Sequence, residues 1–241
     1  MIEMWSQTDN EYAVITHYPK GDNQMEKAVA GWESDPSVGT AYHICGTVWE
    51  SSENHMPRNA NGCYAKVRDQ SHPILVPFWA AGFAFSASHF RESVPFDPHT
   101  KWLFHGEEFH AATRLWTHGY DFYSPQFDIL FHRYAANAKR GRMPYSAEVK
   151  ELRDRSEKRV NYLWGLMERR TPKVDNLTEI IRDIDQYGLG DKRTMEQFWE
   201  FVGCDPINQN ITVFEKALWS LGGLQRVPWN PPFYKNDPLR K

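Results

Sequence analysis

Between residues 78 and 134 the chain reads FWAAGFAFSASHFRESVPFDPHTKWLFHGEEFHAATRLWTHGYDFYSPQFDILFHRY, which sets a glycine-bearing apolar run, an acidic helix start and a late histidine in one short unit. Residues 74–86 are apolar and aromatic with Gly82 in the middle, and read as a strand. A glycine inside a strand marks close approach by a ligand or another backbone, so this run is a candidate wall of a site. After a turn between Pro95 and Pro98, Gly106 precedes Glu107 and Glu108, two acids in the first turn of a helix that ends near His118 and Gly119. Acid at the start suits the helix dipole, and glycine at the end suits a left-handed cap. Phe109, Ala112 and Trp116 share the packing face. Glu107, His110 or Ala111, and Arg114 lie on another stripe that can serve a cleft. Residues 121–132 have the alternating aromatic pattern of a strand interrupted at Pro125, which delivers His132 at its end.

The rest of the chain frames this unit. Residues 12–18 and 42–49 are short β-rich runs, and the polar, aperiodic stretch 51–62 reads as a loop bordering a site. After Tyr134 the character turns to charged helix. Ser146 caps a helix with apolar positions Val149, Leu152, Val160, Leu163 and Met167, whose basic residues read as a solvated face. Residues 177–187 repeat the pattern and stop at Gly188, and Thr194 with Gln197 spells a capping box before a third helix. Residues 228–241 hold four prolines and read as a surface wrap or a disordered tail. A first part, 1–145, and a helical extension, 146–241, follow from this change of character.

The formal net charge of −3 lacks the basic surplus of a nucleic-acid binder. No apolar stretch of membrane-spanning length occurs. Aromatics make up 15% of the chain, including 10 Trp, and most read as core; Trp79 beside Gly82 and Trp102 before the acidic helix are the candidates to face a ligand. Cys45, Cys63 and Cys204 form no metal-like pair and read as reduced thiols of a cytoplasmic protein. Asn176 and Asn210 open glycosylation sequons that read as chance spellings.

The order Gly82, Gly106-Glu107-Glu108, Arg114-Leu115-Trp116, Gly119, Pro125 and His132-Arg133-Tyr134 resembles the C-terminal half of a GT-A glycosyltransferase. It is similar to the family that places N-acetylglucosamine on hydroxyproline of a cytoplasmic ubiquitin-ligase adaptor (glycosyltransferase family 60), and more distantly to the polypeptide N-acetylgalactosaminyltransferases. The match continues through Arg155-Ser156, Arg159-Val160, Tyr187-Gly188-Leu189-Gly190, Arg193-Thr194 and Phe201-Val202-Gly203, covering residues 1 to about 205. The resemblance implies an α/β fold: the C-terminal half of a GT-A domain with a mixed sheet, followed by a helical extension. It implies transfer of N-acetylglucosamine from UDP-N-acetylglucosamine to a protein hydroxyl, with Mn²⁺ or Mg²⁺ and with retention.

It also implies roles. From residue type alone His132 reads as a strand-end histidine bonded to a neighbouring carboxylate or carbonyl; the motif order makes it a metal ligand. Glu107 matches the sugar-contacting acid, with Glu108 beside it. Arg114 reads equally as a phosphate or acid-pair contact and as a structural salt bridge. Arg133 and Tyr134 would face the diphosphate, and Gly82, Trp79 and Gly106 complete the substrate side. The acidic Asp-x-Asp or Asp-x-His metal motif of such enzymes is expected upstream of Met1, so the chain reads as cut short at its N terminus. Asp183-Ile184-Asp185 sits in a helical pattern and Asp97-Pro98-His99 in a turn, so neither is taken as that motif. His105 and His110 stand five apart and fail the zinc-hydrolase spacing. The alternative of another class is a non-catalytic remnant that binds protein or glycan.

Overall fold

The computed structural model describes residues 1–34, 41, 43–44, 46–49, 56–59, 73–134, 146–167 and 176–211. In chain order the elements are α1 (Ile2–Ser6), β1 (Ala13–Thr16), β2 (Lys20–Gly21), α2 (Met25–Ser34), β3 (Thr47–Trp49), β4 (Pro57–Asn59), β5 (Ile74–Val76), β6 (Ala84–Phe85), α3 (His89–Ser93) and α4 (Glu107–Thr117). There follow β7 (Asp121–Ser124), β8 (Phe131–His132), α5 (Ala147–Leu163), α6 (Leu177–Ile180), α7 (Ile184–Tyr187), α8 (Met195–Val202), β9 (Cys204–Asp205) and β10 (Asn210–Ile211).

The sequence of β1 is apolar at Ala13, Val14 and Ile15 in succession because the strand is covered on both faces, and all four of its residues are buried. β7 lies parallel to it, with Val14 opposite Phe122, and β6 antiparallel, with Ile15 opposite Phe85. β5 pairs antiparallel with the far side of β7, giving the order β5-β7-β1-β6 and the mixed sheet of an α/β fold. Two smaller pairs extend the scaffold toward the site: β2 with β8 in parallel, and β3 with β4 antiparallel.

α4 forms where its pattern predicts. Phe109, Ala112 and Trp116 are fully buried. Phe109 meets Phe78 on one side and Trp164, Phe198 and Trp199 on the other, and Trp116 stacks on Phe201 at 5.5 Å. Burying side chains of this size contributes about 1.5–3 kcal/mol each, which makes α4 the pillar of the core. Val160, Trp164, Phe198 and Val202 join the same hydrophobic cluster as Val14 and Phe122, so residues beyond 145 pack on this pillar directly. Among the described residues, aromatics such as Phe78, Trp79, Phe109, Trp116 and Phe198 are core, while Trp102 is 42% exposed.

Four expectations change. Residues 74–86 are two strands at opposite edges of the sheet, and Gly82 lies in the turn that crosses between them. The crossing is tied to the end of β1: Thr16 Oγ1 donates to the Phe83 carbonyl and accepts from the Ala80 N–H at 3.0 Å. A Cβ on Gly82 would stand 2.8 Å from Pro19 Cδ, so the glycine serves a close backbone approach, as expected, but in a turn. Within the stretch read as a loop, Pro57–Asn59 is strand β4, with proline tolerated at its first position.

The helix expected over 177–187 is broken into α6 and α7, with Asp183 at φ +52° between them. Arg159 explains the break. It was expected on a solvated face but is 1% exposed; it donates to Asp97 Oδ2 at 2.7 Å and to the carbonyls of Ile180 and Arg182 at 2.6 and 2.8 Å. Carbonyls turned to a buried guanidinium cannot continue a helical ladder. The end signals hold as spelled: Ser146 Oγ accepts from the Val149 N–H, and Thr194 and Gln197 form the reciprocal capping box.

Candidate functional site

Gly106 sits at φ +89°, a conformation open to glycine, and turns the chain into α4 so that its first two side chains arrive at a cleft. The cleft has a volume of about 930 Å³. Its floor is the segment leaving β1, from Tyr18 to Gln24; its walls are Arg58 and Asn59 of β4, Ala81 of the crossing turn, and Phe104, His105, Glu107 and Glu108 at the head of α4. Tyr134, just beyond β8, closes the far side.

The two acids have different surroundings. Glu108 is held by three donors: the Tyr18 hydroxyl and Asn59 Nδ2 (3.2 Å) on Oε2, and the Ala81 N–H (2.9 Å) on Oε1. Asn59 Nδ2 also bonds the Trp79 carbonyl at 2.8 Å. Glu107 is exposed to the cleft and has no such donor among the described residues; burial of its carboxyl by the cleft walls and then the neighbouring Glu108 push its proton affinity up. Burial, reinforced by Glu108, likewise raises the Tyr18 hydroxyl, which stays a donor.

Positive charge reaches the cleft from its floor. Lys20 is 6% exposed and bonds Asp128 at 2.7 Å. Behind it His43 is held down to about 4, by burial first and then by the Lys20 charge, so this imidazole is neutral. Arg133 stands outside on the rim, bonded to Asp22 at 2.8 Å.

The sequence-derived residues therefore separate. Glu107, Glu108 and Tyr134 line one cleft, with Gly106 and Gly82 shaping its backbone. Trp79 is 5% exposed and belongs to the core, entering the site through its carbonyl alone. Arg114 is buried and spent on the carbonyls of Pro95 (2.7 Å) and Gly188 (3.2 Å), away from the cleft. His132 ends β8 as expected, is exposed, and packs its ring on Tyr134 at 4.4 Å. Among the described residues no three His, Cys, Asp or Glu side chains gather as a metal site. Asp97 and Asp183, set aside as metal residues, are engaged with Arg159 and His99 respectively. Cys204 is buried and free; Cys45 and Cys63 lie outside the described residues, as does the proline-bearing tail.

Sequence reasoning missed Tyr18, Asn59, Lys20 and Phe104. Asn59 carried no signal, lying in a stretch without periodicity. Phe104 is 66% exposed at the cleft, an aromatic beside the Gly-Glu-Glu start that proximity alone could have flagged.

A mixed α/β scaffold thus carries a cleft at the head of a buried helix, lined by one acid held by three donors and one with no such donor among the described residues, a candidate small-molecule site. The family model described as Glycosyltransferase (GlcNAc) matches residues 1–208, and the chain belongs to that family. A search of curated proteins returns no match. Among the described residues no helix is long and apolar enough to cross a membrane.

Proposed function

We propose that this glycosyltransferase moves N-acetylglucosamine from UDP-N-acetylglucosamine to a protein hydroxyl in the cleft at the head of α4. The observation that carries the reading is the free, partly desolvated Glu107 in a cleft of about 930 Å³, within a chain matched over residues 1–208 by the family. That volume lies within the range of small-molecule sites. The glycosidic bond to a diphosphate breaks through an oxocarbenium-like state, and the site must answer two needs: hydrogen bonds to the sugar hydroxyls and positive potential at the departing phosphates. Glu107 serves the first. Lys20 and Arg58, on the floor and wall, serve the second. Hydroxyproline of a ubiquitin-ligase adaptor as acceptor, retention, and a cytoplasmic setting are what the resemblance adds. It also adds Mn²⁺ or Mg²⁺ with His132 as one ligand, a metal that would act as a Lewis acid on the diphosphate.

A second reading, binding of donor or glycan without turnover, rests on the absence of any group of three or more metal-ligating side chains among the described residues. UDP-N-acetylglucosamine binding and UDP release, measured with and without Mn²⁺, separate the two. Release that disappears in Glu107→Gln supports transfer. Binding with no release supports the second reading, and absence of donor binding overturns transfer and leaves the second reading a glycan or protein ligand alone.

A further inference from the structure

Among the described residues, every donor that reaches the acid pair of α4 reaches Glu108. Adjacent helical residues point about 100° apart, so when Glu107 faces the cleft Glu108 turns back toward the sheet. There it meets three segments distant in sequence: Tyr18 at the exit of β1, Asn59 in β4 and the Ala81 N–H in the crossing turn. Asn59, 5% exposed, is locked in turn by the Trp79 carbonyl and by its 3.2 Å bond to the Tyr18 hydroxyl. A carboxylate has about four acceptor sites. With three donors in place, Glu108 has little left for a substrate hydroxyl, whereas Glu107 has its full capacity.

The geometry points to a division of labour: Tyr18, Asn59 and Glu108 form a positioning set that pins the first turn of α4 and fixes a carboxylate beside Glu107, leaving Glu107 as the acid that meets the substrate's hydroxyls. This rests on the transferase reading above. The set explains why two acids stand together where one touches substrate. A fixed anion next to a cleft carboxyl favours its protonated form. The other charged or titratable groups on the cleft walls are Lys20, Asp22, Arg58, His105, Tyr18 and Tyr134; after burial, the adjacent Glu108 is what raises the proton affinity of Glu107.

The test compares Glu107→Gln, Glu108→Gln and Tyr18→Phe by UDP-N-acetylglucosamine turnover against pH, with a carbon-13 carboxyl titration of Glu107 by NMR in parallel. Glu107→Gln should lose at least about 100-fold in kcat, the lower range for losing one preorganised hydrogen-bonding group in the transition state. Glu108→Gln should keep measurable turnover, and both the Glu107-controlled limb of its pH profile and the NMR midpoint of Glu107 should move to lower pH. Where Glu108→Gln does not fold, Tyr18→Phe replaces it, with kcat down about tenfold for one lost hydrogen bond and KM little changed. Full activity in Glu107→Gln, an unmoved Glu107 midpoint in Glu108→Gln, or unchanged kcat in Tyr18→Phe would overturn the division. If the wild-type protein turns over no donor, the transferase reading falls separately, and the NMR midpoint still decides how the two acids are coupled.

Discussion

Replacing Arg159 by leucine would remove a cation that is 1% exposed and joins two parts of the chain distant in sequence. Three bonds go with it: to Asp97 Oδ2 at 2.7 Å, and to the carbonyls of Ile180 and Arg182 at 2.6 and 2.8 Å. The leucine fills most of the volume but leaves Asp97, itself 9% exposed, as a buried carboxylate without its closest donor. The His99 N–H remains on its other oxygen at 2.9 Å, and His110 Nε2, 3.5 Å away, is too distant to replace the lost ion pair. Breaking a buried pair from one side costs about 3–5 kcal/mol. At about 2–4 °C per kcal/mol for a chain of this size, the melting temperature should fall by roughly 6–20 °C. Denaturant unfolding with a fixed slope would give the free energy directly.

The same residues set a pH dependence. Burial alone would raise the Asp97 carboxyl, but the neighbouring His110 ring, the Arg159 guanidinium and the His99 N–H together overcome it and hold it down to about 2. Its stabilisation is therefore complete above the ordinary carboxylate value and is lost as pH falls toward 2, a span worth roughly 2 kcal/mol. Arg159→Leu should flatten that part of the stability curve. A loss below about 1 kcal/mol, with the acid limb of the curve unchanged, would refute the reasoning and show that Asp97 finds water or a proton instead.

Glu107→Gln should abolish transfer while changing stability by at most about 1 kcal/mol, since an exposed first-turn acid contributes little more; unfolding of the variant by calorimetry would make Glu107 structural. Thr194→Ala breaks the capping box of α8 and should cost about 1 kcal/mol, read as a shift in denaturant midpoint without loss of donor binding. Because His132 is exposed, His132→Ala should leave stability within about 0.5 kcal/mol. The same variant should abolish turnover together with its response to added Mn²⁺ or Mg²⁺; an unchanged response removes the histidine as a ligand.

The amino-acid sequence by itself determined the local pieces whose causes are local. The apolar run of β1, the 3.6-residue stripe Phe109, Ala112 and Trp116, the Gly106-Glu107-Glu108 start and the Thr194–Gln197 cap depend on neighbours a few residues away, and each appears where its pattern places it. The crossing at Gly82, the break at Asp183 and the burial of Arg159 depend on partners far along the chain. Nothing near Arg159 announces Asp97, and nothing near Asn59 announces Glu108. The resemblance singled out Glu107 as the sugar-side acid, but not the three donors that hold Glu108. Two glutamates side by side are chemically alike until the fold turns one toward three donors and the other toward open space. That choice belongs to tertiary structure, because desolvation and hydrogen bonding act through space and take no account of sequence distance.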